Sequence, residues 1–300
     1  MHDLPSTLDL KSKRYPNGLI RKFIPRFCVR GDRKIEGVDF FESFAAVVNW
    51  VTIRLLLIIS IHINLSTMQV YYTSSFFHSE LNDEVYIDMT CGFTQDGKCL
   101  KLKRSLYELL LSQRNFYLYL KNKLEKFEFV QSKANSCLFF RPDIICLVYV
   151  DDCIFLDPDS SNFETMLTKL RVSYMSMQKK DAVAGFLCVS LVINSNDGSI
   201  ELTQTRLIDR IITAMGLDDA TSTKMYTEYG KLPKDIDEDC CDTDLNYASV
   251  VCILLYLLRH SHPELAFSVS QCARCTFSSK LSHKKALKCI GRAIPHKNPH

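Results

Sequence analysis

The stretch LVYVDDCIFLD (residues 147–157) sets two adjacent carboxylates, Asp151 and Asp152, between two apolar runs. Apolar runs of this length around a short polar break read as two strands joined by a turn, with the aspartates at the tip. Read locally, the pair has two meanings. Aspartate is a favoured turn residue, so the tip is a solvated turn; or it offers two hard oxygen ligands to magnesium, which prefers carboxylate and phosphate oxygens. Two-metal nucleotidyl transfer needs carboxylates from more than one strand, because two ions about 4 Å apart must both be clamped. One hairpin does not decide between these readings.

Outward from the tip, CLFFRPD (137–143) reads as a further strand with a turn at Pro142-Asp143, and NFYLYLKNKLEKFEFV (115–130) as an amphipathic helix carrying Phe116, Leu120, Leu124 and Phe127 on one face. RKFIPRFCVRG (21–31) alternates basic and apolar residues into a glycine turn, and the apolar pattern from Phe40 to Leu65 predicts a long helix. STMQVYYTSSFF (66–77) reads as a strand followed by a turn or short helix, EVYIDM (84–89) as a short strand, and GFTQDGKCLKL (92–102) as a hairpin through Asp96-Gly97. After the tip come a helix in SNFETMLTKLRVSYM (161–175), a hairpin through Asp197-Gly198, and a helix in TRLIDRIITAMGL (205–217) that stops at Gly216. An acidic linker of about 25 residues follows, long enough to mark a subdomain boundary. From Tyr247 onward the pattern is helical.

With 300 residues, 47% of them apolar, the chain has ample material for a core of one to three subdomains. Its net charge of +3 is nearly neutral, so any nucleic-acid surface must come from local clusters. Two exist: the basic run between residues 11 and 34, and HKKALKCIGRAIPHKNPH (283–300) at the end of the sequence. Thirteen cysteines, an odd number at apolar positions without a secretory signal, read as reduced intracellular thiols. The lone Cys272-x-x-Cys275, with His283 and Cys289 downstream, reads as core cysteines before it reads as zinc ligands, which normally include a second close pair. VTIRLLLIISIHI (51–63) is too short to span a bilayer and carries Arg54; no membrane association is expected.

Seven blocks, taken in order, resemble the reverse transcriptase of copia-type retrotransposons. They are FFESFAAVVNWVTIRLLL, ELNDEVYIDM, GFTQDGKCLKLKRSLYELLLSQRNFY, SKANSCLF, LVYVDD, GSIELTQTRLIDRII and YASVVCILLYLLRHSHPELAFSVSQCARC. The resemblance covers nearly the whole chain. It implies an α+β right-hand polymerase fold with an antiparallel palm sheet, fingers and a helical thumb or connection. On that template residues 1–46 are fingers that join the family pattern late, 47–80 palm, 81–112 fingers, 113–203 palm with the YVDD hairpin, and 204–300 thumb or connection. No RNase H, integrase or protease pattern is visible. The implied activity is RNA-directed DNA polymerisation, with template-primer and deoxynucleoside triphosphates as partners and two magnesium ions as cofactor. Asp151 and Asp152 match the paired aspartates of the family's Tyr-x-Asp-Asp motif, which hold those ions. Arg26 and Arg30 match basic residues of its Arg-Leu-Val-Ala-Arg-Gly stretch, where they would neutralise the triphosphate; read locally they are a solvated strand face. The implied location is intracellular, in the cytoplasm or in virus-like particles, and no stable protein partner is inferable.

The sequence departs from the family where the chemistry sits. QVYYTSSFFHSEL (69–81) stands for Gln-Leu-Asp-Val-Lys-Thr-Ala-Phe-Leu-Asn-Gly-Glu-Leu, so Tyr71 replaces the third catalytic aspartate. A phenol is neutral at pH 7 and a poor magnesium ligand, and loss of a metal clamp implies a rate loss of about 10³-fold or more. SLYELLLSQR (105–114) stands for Ser-Leu-Tyr-Gly-Leu-Lys-Gln-Ser-Pro-Arg, placing Glu108 for glycine, Leu110 for lysine, Leu111 for glutamine and Gln113 for proline. Phe186-Leu187-Cys188 stands for the family's Phe-Leu-Gly turn that grips the primer. The expectation is a polymerase domain inactive in this copy. The alternatives are a non-catalytic nucleic-acid-binding remnant that keeps its basic segments and a pseudogene product without function.

Overall fold

The computed structural model describes residues 3–14, 19–35, 37, 42–81, 83–90, 92–172, 177–180, 185–186, 189–194, 198–218, 220–221, 223, 232–233, 239 and 245–294. The chain divides into two compact units, Met1–Val183 and Ala184–His300. In order, the first unit contains strands β1 (Ser6–Arg14) and β2 (Ile20–Val29), helix α1 (Trp50–His62), then β3 (Ser66–Tyr72), β4 (Tyr86–Ile87) and β5 (Leu100–Lys101). It continues with α2 (Ser112–Lys126), β6 (Val130–Gln131), β7 (Leu138–Phe140), β8 (Ile145–Tyr149), β9 (Asp152–Asp157), α3 (Ser161–Val172) and β10 (Met177–Lys180).

A six-stranded sheet in the order β10-β3-β9-β8-β7-β6 forms its centre, and every neighbouring pair is antiparallel. Side chains alternate across the sheet, so Met68, Val70, Tyr72, Cys146, Val148, Cys153 and Phe155 share one face. They pack there with Phe116, Leu120 and Leu124 of α2 and Phe163, Met166, Leu167 and Leu170 of α3. Gln69, Tyr71, Leu147, Tyr149, Asp152 and Ile154 belong to the opposite face. Strands β1 and β2 form a separate two-stranded ribbon, and β4 and β5 another.

In the second unit, β11 (Gly185–Phe186), β12 (Val189–Asn194) and β13 (Ser199–Thr203) make a three-stranded sheet, followed by α4 (Thr205–Met215), α5 (Tyr247–His260), α6 (Ala266–Ala273) and α7 (Leu281–Ala293). Ile211, Leu254, Leu257, Val269 and Leu287 lie at the centre of its helical core. Gly216 ends α4 with φ of 62°, donating its N–H to Thr213 O. His283 is fully buried; its Nδ1 accepts from the Lys280 N–H, capping α7, which leaves Nε2 to donate to Pro233 O at 2.9 Å. Both nitrogens are therefore structural, and Cys272, Cys275 and Cys289 are buried.

Three expectations need correction. The long helix is α1 alone: residues 42–49 are irregular, because the Asn49 side chain accepts from the Val51 N–H and starts the helix there. Gly97, with φ of 70°, does turn the chain, but β5 pairs with β4, so the hairpin reaches back to Tyr86 and is wider than residues 92–102. The tip turn comes one residue early, at Val150-Asp151, and Asp152 already pairs with Tyr149 as the first residue of β9. Most of the acidic linker, with Asp197, Leu187 and Cys188, falls outside the described residues.

Candidate active site

The apolar strands β8 and β9 are buried on both faces, with Val148, Cys153, Ile154 and Phe155 at 2% exposure or less, so the turn between them is the first place polar groups emerge. Val150 makes that turn with φ of 50°, a left-handed conformation that a β-branched residue adopts only under constraint. Asp151 and Asp152 follow, both half-buried.

Strand β3 runs alongside. Its register places Tyr71 opposite Asp152 and Gln69 opposite Ile154, and the Tyr72 N–H donates to Asp151 O at 2.8 Å. The side-chain amide of the buried Gln69 donates to Asp152 Oδ1 at 3.0 Å. The Tyr71 phenol donates to the Asp151 carboxylate. Burial, then the Asp151 charge, pushes that phenol up to about 12, so it is a neutral donor at pH 7. Burial raises the Asp151 carboxyl above the ordinary aspartate range, with a backbone hydrogen bond and the Tyr71 phenol opposing the rise.

The donors already on these carboxylates decide what they fit. Two carboxylates, one engaged by a phenol and the other by an amide, do not supply the ligands that two magnesium ions about 4 Å apart require. Among the described residues, no group of three or more His, Cys, Asp and Glu side chains is placed to hold a metal ion. The arrangement as it stands is a hydrogen-bonded polar pair on a strained turn.

Arg26 and Arg30 lie at the C-terminal end of the β1–β2 ribbon, which is joined to the 105–114 segment by the Val29 N–H donating to Tyr107 O. The Arg26 guanidinium sits 5.4 Å from the centroid of the Tyr107 ring, and Tyr107 is close enough to Tyr71 to raise its phenol further. Arg26 thus reaches the neighbourhood of the aspartate tip through Tyr107. Arg30 is committed elsewhere: its Nε and Nη2 donate to the two Asp32 carboxylate oxygens at 2.8 and 2.7 Å. Glu108 holds φ of 65°, in the region that glycine enters freely and other residues enter at a cost. Gly31 packs against its backbone, where a Cβ would overlap the Glu108 carbonyl oxygen.

Sequence reasoning found Asp151, Asp152 and Tyr71 but gave no role to Gln69 and Tyr107. The signal for Gln69 is its place two residues before Tyr71, which puts it on the same face of β3. Tyr107 stands beside Glu108 in a block altered at four positions, and nothing local to that block marks it as a neighbour of Tyr71.

The pattern of the family described as reverse transcriptase (RNA-dependent DNA polymerase) matches residues 10–228 of this chain. The chain belongs to the reverse transcriptase family. Among its relatives, the retrovirus-related Pol polyprotein from transposon TNT 1-94 of Nicotiana tabacum is 25% identical over 91% of this chain and 22% of that protein. The corresponding polyprotein from transposon RE1 of Arabidopsis thaliana is 24% identical over 94% of this chain and 20% of its own length. The copia-type resemblance of the seven blocks is borne out by these matches, and this reverse transcriptase-family chain spans about a fifth of the length of those relatives. Telomerase from Candida albicans in complex with a fragment of telomeric RNA aligns over 96% of this chain and 63% of that one, at 11% identity and a TM-score of 0.37, a likeness too slight to bear on the fold. Among the described residues, no helix is long and apolar enough to cross a membrane.

Proposed function

We propose that the chain is the reverse transcriptase domain of a copia-type retrotransposon Pol polyprotein in which RNA-directed DNA polymerisation by two-metal transfer has been lost. One observation carries the loss. Tyr71 faces Asp152 across the β3–β9 ladder and its phenol donates to Asp151, so a neutral donor stands where the family has its third carboxylate. Family membership supports the polymerase ancestry.

On this reading the six-stranded sheet with α2 and α3 is the palm, the β1–β2 ribbon and the 81–112 segment are fingers, and residues 204–300 are thumb or connection. Asp151 and Asp152 descend from metal ligands. Arg26 and Arg30 descend from triphosphate contacts, with Arg30 now paired to Asp32. Template-primer remains the partner, the compartment is intracellular, and the retained activity is binding of nucleic acid by the basic segments.

Primer extension on an RNA template with magnesium or manganese, run beside Asp151→Asn, tests the proposal. No extension from either folded protein is the expected result. Extension that disappears in Asp151→Asn would overturn the loss of activity. Template-primer affinity that falls steeply with salt, without extension, supports the binding remnant.

A further inference from the structure

A cleft of about 420 Å³ opens on the first unit beside α2. Helix α2 packs on the face formed by Met68, Val70, Tyr72 and Cys153, whereas Gln69, Tyr71 and Asp152 belong to the other face of the sheet. The sheet and the Phe116–Leu120–Leu124 layer therefore separate this cleft from the aspartate tip. Its size is within the range of small-molecule sites.

Its walls combine an aromatic face, cations and amides. Asn115, Tyr119, Asn122, Lys123 and Lys126 line it from α2, and His78 from the turn after β3. Spacings of three, four and seven residues put the α2 side chains on one helical stripe. The His78 and Tyr119 rings are nearly parallel, at 16° with centroids 6.3 Å apart, and the Lys123 ammonium lies 5.3 Å from the Tyr119 centroid. His78 Nε2 is buried without a hydrogen-bond partner, which is costly unless a ligand or solvent supplies one. Glu80 also lines the cleft; two lysines against one glutamate leave the wall basic, and a carboxylate there can accept from a sugar hydroxyl.

We propose that this cleft binds a nucleotide unit, its base against Tyr119 and His78 and its phosphate at Lys123 and Lys126. An aromatic platform flanked by ammonium groups matches a π-face carrying an anion, and the Asn115 and Asn122 amides offer donors and acceptors to the base edge. The unit belongs either to a free nucleotide or to a single strand.

Calorimetric titration of the full chain without divalent metal, using dATP, deoxyadenosine, inorganic phosphate and a short oligothymidylate, tests this. The expected result is that dATP or the oligonucleotide binds more tightly than deoxyadenosine or phosphate alone; which of the two binds identifies the source. Lys126→Glu, at an exposed position, weakens that binding about tenfold or more, as does Tyr119→Leu, while Tyr119→Phe retains it. Photolabelling with 8-azido-dATP marks peptides containing His78 or Tyr119. No binding of dATP or oligonucleotide by folded protein, unchanged affinity in Lys126→Glu, or labelling confined to the segments around Tyr107 and Asp151 would overturn the proposal. Should Tyr119→Leu fail to fold, Lys126→Glu and the labelling decide.

Discussion

The phenol of Tyr71 donates a hydrogen bond to the carboxylate of Asp151, whose own proton affinity is raised by burial. A folded-state pKa above the unfolded one means that the native chain holds this proton more tightly. The contribution of Asp151 to stability is complete below the ordinary aspartate range and is lost as pH rises through its raised native value. Asp151→Asn removes a charge that is costly to bury but keeps an acceptor for Tyr71. The variant should therefore be at least as stable as the parent near pH 7, with its relative advantage shrinking as pH falls towards about 4. Urea denaturation of both proteins across that range checks this; an advantage that grows on acidification would contradict the burial of Asp151.

Tyr71→Asp brings a third carboxylate to the pair and removes the donor on Asp151. Without divalent metal the melting temperature should fall, because like charges crowd one face of the strand pair. Magnesium or manganese should then raise the melting temperature of the variant more than that of the parent, since a ligand that binds only the native state stabilises it. Primer extension should still be absent, because Glu108 and Leu111 remain at the altered nucleotide and template block. Robust extension by Tyr71→Asp alone would show that a single carboxylate was the whole deficit.

Glu108→Gly should stabilise the first unit by about 1 kcal/mol, by relieving the left-handed backbone at that residue. Gly31→Ala should have the opposite effect, costing about 1–3 kcal/mol, because its Cβ meets the Glu108 carbonyl. Chemical denaturation of each single variant measures both effects, and the double variant should show coupling, because the two residues are in contact.

His283→Leu should destabilise the helical unit by about 2 kcal/mol. The substitution leaves the Lys280 N–H and the Pro233 carbonyl without their partner. Hydrogen exchange at the start of α7 should rise before exchange in α5 does, and equal protection in both proteins would show that the cap is dispensable.

The tip hairpin was legible because two unbroken apolar strands around a polar pair are a local signal, and α2 was legible because Phe116, Leu120 and Leu124 recur at helical spacing. What the local signal could not carry was partnership. The pairing of β3 with β9, and hence the meeting of Tyr71 with Asp152, depended on a resemblance, since strand neighbours distant in sequence leave no periodic trace. The extent of α1 was overestimated because apolar residues such as Phe44 and Val47 continue the pattern before Asn49 while standing exposed to solvent. The Arg30–Asp32 ion pair joins residues only two positions apart, but a basic run does not show which of its cations the single acidic residue within it will hold.

The place of β3 between β10 and β9 has a kinetic meaning. Gln69 and Asp152, joined by a hydrogen bond, are 83 residues apart in sequence, so the sheet cannot close around β3 until β9 and β10 have been made. Closing so long a loop costs entropy before any strand contact repays it, and folding slows as the mean separation of contacting residues grows. During synthesis, β3 thus emerges well ahead of the strands that flank it, and the nascent chain passes through an interval in which β3 is open to pairing with another molecule.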